Sequence, residues 1–230
     1  RFAGLDSLVD AAARQLTQLI TAITSDDAGG VNADGRARVV LTGGTAGIAL
    51  LERLAAPELA EAIDWPRVEL YFGDERNVPV SHPDSNEGQA RAALLSKVGI
   101  PEGNIHGYGL DGGPMDGAVA RYRDVLQRHA TGGFDLHLLG MGGEGHINSL
   151  FPHSAAVRER REHVGAVGHR LRPGHADGVV DWGGVVRRGP QRGHDAHHNG
   201  GMCGRFVLFT SGEDLLDGVR QLPGITDVVA

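Results

Sequence analysis

The 230-residue chain is predicted to be an α/β protein, a mostly parallel sheet with helices on both faces. Three short apolar runs, in RVVLTGG, VELYFGDER and FDLHLLGMG, each end abruptly in glycine or charge. The segments around them space their apolar residues as helices do. The resulting order (strand, glycine turn, helix, strand, charged loop, helix, strand) is that of parallel strands buried on both sides.

Taken in order, Leu5, Leu8, Val9, Ala12, Leu16, Leu19, Ile20 and Ile23 predict an amphipathic helix over 5–24. SDDAGGVNADG (25–35) is a polar, glycine-bearing loop. Val39–Leu41 is a short buried strand, and TAGIALLERLA is the helix after it. Asp64-Trp65-Pro66 turns the chain into the second strand, VELYFGDER. VPVSHPDSNEG (78–88) is a loop with a helix start near Ser85; QARAALLSKVG continues that helix until Gly99 and Pro101 end it. A helix over 116–130 and a buried strand over 134–142 follow, and Ile147–Phe151 begins a further helix. RFVLFTSGEDLLDGVRQL reads as strand, turn and helix. There is no internal repeat.

Composition sets bounds. At 40% hydrophobic and 22% charged the chain has the make-up of an ordinary soluble protein. No apolar run approaches a membrane span, and RFAGLDSLVDAAARQL lacks the apolar core of a signal peptide. The absence of a starting Met suggests an incomplete N-terminus. The single cysteine, Cys203, allows no internal disulfide and fits a reducing cytoplasm. A formal charge of −7 argues against general nucleic-acid affinity.

Residues 157–205 break the pattern. Of these 49 residues, 9 are Arg, 11 Gly and 6 His, with no Ser, Thr, Ile, Phe or Lys; VGAV and GVV are the only strand-like remnants. A compact α/β domain should not hold so long a structureless insert. Three explanations compete. His194, His197, His198 and Cys203 are a candidate metal cluster, although their spacing matches no standard zinc pattern. A basic segment contacting phosphates is the second. The third, which the composition favours, is translation out of frame: the protein has 21 Arg against one Lys, Lys97, a sign of GC-rich coding DNA, and such DNA read in the wrong frame yields Arg, Gly, Ala, His and Pro. The patterned chain returns near Phe206.

Ligands in open α/β sheets bind beyond the carboxyl ends of the strands, so LTGGT, FGDER and GMGGEGH should meet at one crevice. In LTGGTAG (41–47), Gly43 and Gly44 let backbone N–H groups approach an anion, the next helix adds its dipole, and Thr45 adds a hydroxyl. The stretch is neither GxGxxG nor a Walker A loop, so a dinucleotide or nucleoside triphosphate is poorly supported; a plain tight turn is the alternative. In YFGDER, Arg76 offers a fork suited to phosphate, and Asp74 or Glu75 could orient a hydroxyl or a catalytic ring; a solvated charge cluster is the alternative. His146 follows Gly140, Gly142, Gly143 and Gly145, whose bare backbone admits substrate and leaves N–H groups for an oxyanion. Its imidazole can act as a base near neutrality, with Glu144 assisting the ring or facing water. His137, inside an apolar strand, reads as a packed or hydrogen-bonded core residue. His82, His106 and His129 have no evident partner in the sequence, and Cys203 earns no nucleophile role.

LTGGTAGIALLERLA, FGDERNVPVSHPDSNEGQARAALLSKVGIPEGNIH and DLHLLGMGGEGHINSLFPHS together resemble the 6-phosphogluconolactonases of the pentose phosphate pathway. The likeness runs from about residue 38 to about 157 and weakly over 206–220. It implies a modified Rossmann-like fold shared with glucosamine-6-phosphate deaminases and ribose-5-phosphate isomerases. It implies hydrolysis of 6-phosphoglucono-1,5-lactone without an organic cofactor or metal, by a cytoplasmic single-domain protein, a monomer or small homo-oligomer whose partner is the sugar phosphate rather than nucleic acid or membrane. By position, His146 matches the family's catalytic histidine, Arg76 its strand-end arginine, and Gly43, Gly44 and Thr45 its sugar-phosphate loop. Asp74, Glu144, Gly142 and Gly143 complete the expected site.

The chain also departs from that family. A serine-proline-lysine-proline segment expected after the histidine, which supplies a further cation, would fall within 157–205, where there is no Lys. Family members usually carry a strand before Arg1 and extend past Ala230, so truncation at both ends is expected. Three rivals remain. The deaminase or isomerase reaction is one, although those enzymes resemble DEY where this chain has DER and HIAFNEP where it has HINSLFP. A degenerate sugar-phosphate binder is another, and a nucleic-acid binder acting through the Arg-rich stretch is the third.

Overall fold

The chain runs α1 (Leu5–Thr24), β1 (Ala37–Leu41), α2 (Gly44–Leu54), α3 (Pro57–Ala60), β2 (Val68–Phe72), β3 (Asp74–Arg76), α4 (Asn86–Ala93), β4 (Ile105–His106), α5 (Asp116–His129) and β5 (Leu136–Met141), then β6 (Val164–Val167), β7 (Gly178–Asp181) and β8 (Arg205–Thr210). This computed structural model describes residues 2–142 and 145–152 and the backbone of β6, β7 and β8. Most of the 157–205 stretch, including His194, His197, His198 and Cys203, lies outside the described residues, as do Gly143 and Glu144.

The main sheet has the order β4-β2-β1-β5-β8, and every neighbouring pair is parallel. From β1 the chain steps outward to β2 and β4, then returns to the other side of β1 to lay down β5 and β8. The reversal lies between β1 and β5, and a ligand crevice is expected outside the carboxyl ends of those strands. The expected α/β class and parallel sheet are therefore present.

One face of the sheet is apolar. Val39 and Leu41 of β1, Leu70 and Phe72 of β2, and Leu136 and Leu138 of β5 alternate onto it. Ala13, Leu16 and Ile20 of α1 and Leu50, Leu51 and Leu54 of α2 pack against them at helical spacing. Each of the larger of these side chains contributes about 1.5–3 kcal/mol on leaving water. The other face is also buried but carries polar groups: Arg38, Glu69, Tyr71, His106 and His137. Arg38 binds Asp34 at 2.7 Å and donates at 2.5 Å to the carbonyl of His129. Glu69 accepts from Arg36 at 2.7 Å and from the Tyr71 hydroxyl at 2.8 Å.

Three local expectations need correction. VELYFGDER is not one strand: the chain bends at Gly73, and β3 enters a second, antiparallel sheet of order β3-β7-β6. A Cβ at Gly73 would stand 2.7 Å from Asn148 Nδ2 and 3.0 Å from His137 Nε2, so only glycine fits the bend. Helix α4 stops at Ala93 instead of reaching Gly99. Leu94 leaves helical geometry at φ −138°, which lets the adjacent Leu94 and Leu95 both enter the core. Residues 147–150 form a tight turn rather than a helix start, because Asn148 takes a left-handed conformation at φ 50°. VGAV and GVV do form strands, β6 and β7. Among the described residues no helix is long and apolar enough to cross a membrane.

Glu69 predicts an acid-sensitive fold. Burial opposes its ionisation, but His106, Tyr71 and Arg36 outweigh that and hold its pKa at about 2 against an ordinary 4.5. A depressed carboxyl stabilises the fold above its unfolded pKa and loses that contribution as pH falls through the folded one. The contribution is on the order of 3 kcal/mol. In urea unfolding series, the stability gap between the parent chain and Glu69→Gln should therefore narrow between pH 4.5 and pH 2; a constant gap would contradict this account.

Candidate active site

The loop after β1 begins at Thr42 and enters α2 through Gly43, the residue that caps the helix. Gly44 takes φ +81°, a conformation that disfavours side chains. No acidic residue occupies the first turn of α2, and Thr45 is exposed there. The first N–H groups of this helix, which have no partner within the helix, and its dipole present positive potential to the crevice. Two close approaches hold the loop. The Cα of Gly43 rests against the carboxamide of Asn86, where a side chain would collide. A Cβ on Gly140 would come 3.2 Å from the Thr42 hydroxyl, so glycine in β5 leaves room for the end of β1.

The loop after β2 carries Asp74, Glu75 and Arg76. In the extended β3, alternate side chains point opposite ways. Glu75 faces α4: its carboxylate accepts from Asn86 N at 2.7 Å, Glu87 N at 2.9 Å and Ser85 Oγ at 3.0 Å. Ser85 in turn caps the helix by accepting from Gly88 N at 3.0 Å. Burial pushes the Glu75 carboxyl pKa up against these bonds. Glu75 thus anchors the start of α4. Asp74 and Arg76 meet on the other side through Asn86. The Asn86 amide donates to the Asp74 carbonyl at 2.9 Å and to Asp74 Oδ1 at 3.1 Å, while its Oδ1 accepts a close hydrogen bond from Arg76 Nη1.

The loop after β5 returns on itself. Gly142 N donates to the His146 carbonyl at 2.9 Å, Gly145 N to the Gly142 carbonyl at 2.8 Å, and Met141 bridges Ile147. Gly145 makes the reversal at φ +80°. The His146 ring lies against the Cα of Gly142, where a methyl group would overlap it, and stacks on Phe151 with centroids 4.5 Å apart. The Ser149 hydroxyl donates to Asp74 Oδ2 at 2.8 Å, tying this loop to the one after β2. Asp74 is half-buried as a residue, but protein crowds its carboxyl. Desolvation raises its pKa, opposed by Arg76, Ser149, His146 and Asn86.

The structure thus brings Gly43, Asp74, Arg76, Gly142 and His146 to one end of the sheet, with Gly44 and Thr45 at the adjoining helix start. One expectation fails. The Gly142 N–H is committed to the His146 carbonyl, so it is no oxyanion donor. Asn86, Ser149 and Asn148 were missed. Asn86 reads only as the first residue of a helix, and its bridging role depends on a strand ten residues away. Asn148 is 7% exposed, and its carboxamide has no hydrogen-bond partner among the described residues. His137 is packed, with no hydrogen-bond partner among the described residues, and burial lowers its pKa to about 3, so its ring is a neutral core group. His82 accepts from Asp84 N at 3.1 Å. His106 and His129, without evident partners in sequence, meet Glu69 on the polar face of the sheet.

Comparison with known proteins places this geometry in context. The family described as glucosamine-6-phosphate isomerases/6-phosphogluconolactonase matches residues 5–176. The 6-phosphogluconolactonase of Mycobacterium tuberculosis is 45% identical over 181 residues, spanning 75% of this chain and 70% of that protein. The solved 6-phosphogluconolactonase of Trypanosoma brucei superposes with a TM-score of 0.69 at 20% identity, over 99% of this chain and 86% of that one. A monomeric glucosamine-6-phosphate deaminase shares the fold at a TM-score of 0.60 and 16% identity, over 77% of this chain and 72% of that one. By the extent of the family match and the identity to the mycobacterial enzyme, the chain belongs to the glucosamine-6-phosphate isomerase/6-phosphogluconolactonase family.

Proposed function

We propose that the protein hydrolyses 6-phospho-D-glucono-1,5-lactone to 6-phospho-D-gluconate, the lactonase step of the pentose phosphate pathway, in the cytoplasm. One observation carries the assignment of roles: a continuous chain of contacts, Ser149 to Asp74 to Asn86 to Arg76, with Asn86 seated on Gly43, ties the histidine loop to both candidate phosphate-binding elements. The sugar phosphate is held at one end by the helix start at Gly43, Gly44 and Thr45 and by Arg76. The lactone carbonyl then lies towards His146.

Opening a cyclic ester needs a nucleophilic water and a proton for the departing ring oxygen. His146 removes a proton from water as its oxygen bonds to C1. The tetrahedral intermediate then breaks the bond between C1 and the ring oxygen, which takes the proton back from His146 and becomes the C5 hydroxyl. No covalent enzyme intermediate, metal or organic cofactor is needed. Asp74 acts by position: with its two oxygens committed to Asn86 and Ser149, it keeps Arg76 and the histidine loop in one register. The phosphate, remote from the ester, supplies binding energy for orientation.

Measured above the spontaneous opening of the lactone, His146→Ala should lower kcat/KM by about 10²–10⁴-fold. Hydrolysis as fast as that of the parent chain would remove His146 as the base. Ammonia released from glucosamine 6-phosphate would replace the lactonase reading with the deaminase one. Gly142→Ala is a finer test, because its methyl group must displace the imidazole while little of the core is touched. Displacement by about 1 Å should cost on the order of 100-fold in kcat/KM with an almost unchanged melting temperature. Undiminished activity in this variant would show that the ring does not work from this seat.

A further inference from the structure

We propose that Glu69, His106 and His129 form a binding site for a borderline divalent metal ion such as zinc, on the polar face of the sheet and separate from the crevice. Glu69 comes from β2, His106 from the two-residue edge strand β4, and His129 is the last residue of α5. One ligand atom from each can be chosen so that all three lie within 4.8 Å of one another. Glu69 Oε2 and His106 Nε2 are 3.4 Å apart, about the edge expected of a tetrahedral zinc with bonds near 2.0–2.2 Å. The chosen ligand atoms are at most 4.8 Å apart, so His129 has to draw in by up to about 1.4 Å to close the remaining edges. It can do so, being exposed and at the end of its helix, next to a residue already outside helical geometry (Ala130, φ −134°).

An independent observation points to a ligand here. His106 is 8% exposed, and its Nε2 faces the Glu69 carboxylate at 3.4 Å without an aligned hydrogen bond to any described residue. A buried ring nitrogen held only by so long a contact is poorly satisfied, and an ion between it and the carboxylate would satisfy both. The surroundings also resemble an outer shell that orients ligands. Arg36 Nε binds Glu69 Oε1 at 2.7 Å, and the Tyr71 hydroxyl donates to Oε2 at 2.8 Å, leaving that oxygen a second lone pair. The ring of Tyr71 stacks on His106 at 4.6 Å, and Arg38 holds the carbonyl of His129. Arg36 and Arg38 are balanced by Asp34 and Glu69, so an added divalent charge is not fully compensated. The site should therefore bind more weakly than a thiolate-rich structural zinc site. Its effect would be mechanical: it would clasp the end of α5 to a short edge strand.

The test uses the full chain, free of any affinity tag and stripped with chelator. All forms carry His194→Ala, His197→Ala, His198→Ala and Cys203→Ser, so that metal held by those residues is not counted. Zinc is titrated by calorimetry and Co²⁺ by visible absorption. One equivalent should bind, with the intense visible bands of a tetrahedral cobalt centre, and zinc should raise the melting temperature by a few degrees. His129→Ala, which removes an exposed side chain and leaves the core intact, should weaken zinc by at least about 10–100-fold and abolish the thermal shift. His106→Gln, kept only if its circular dichroism matches the parent, should do the same. Unchanged affinity in His129→Ala, binding lost instead in His146→Ala, or no bound equivalent at all would each overturn the proposal.

Discussion

The carboxylate of Asp74 is the point on which the crevice depends. A carboxylate has two oxygens, and here each holds a different part of the chain: Oδ1 the Asn86 amide, Oδ2 the Ser149 hydroxyl. Asn86 begins the helix that follows one strand end, and Ser149 belongs to the loop that follows another. Without Asp74, Asn86 and Ser149 would lose the partner they share. Protein crowds this carboxyl, so an unmet hydrogen bond there would be expensive, and that expense keeps the two loops in register. The structure thus joins at a single residue what the parallel sheet only brings near.

The sheet supplies nearness through topology. Five parallel strands place all their carboxyl ends on one side, and the strand order reverses between β1 and β5, where open sheets of this kind form a crevice. Glycine then decides how closely the ends approach. Gly43 admits Asn86, Gly73 admits Asn148 and His137, and Gly142 admits the His146 ring. Each of these contacts would be blocked by a single methyl group. The bareness of the loops is therefore a packing requirement as well as an opening for substrate.

Much of this was legible in the residues, and the part that was not has physical causes. Helix α1 and the three central strands follow from apolar spacing alone, which is a local signal. The convergence of Gly43, Arg76 and His146 followed from strand order, because a parallel sheet leaves the loops little freedom. Asn86 and Ser149 could not be read, since their partner lies in another loop and a short polar residue near a turn has many ordinary uses. The helix expected at 147–151 failed for a related reason. Ile147, Leu150 and Phe151 have helical spacing, but Asn148 takes a left-handed conformation and the loop folds back on β5. The oxyanion expectation for Gly142 fails because glycine-rich backbone is not free backbone: its N–H closes the loop that presents the ring.

The tripeptide Asp74-Glu75-Arg76 shows why extended backbone is useful at such a position. In a strand the first and third side chains share a side and the second points away. Asp74 and Arg76 can therefore both engage Asn86, while Glu75 turns to the first N–H groups of α4 and fixes the helix from which Asn86 projects. The helix start held by the middle residue thus delivers the side chain that its two neighbours need. A helical tripeptide would spread the same three side chains about 100° apart and would lose this division of labour. That geometric need gives a reason for the break at Gly73, where the chain leaves the parallel sheet and joins a separate antiparallel one before reaching the crevice.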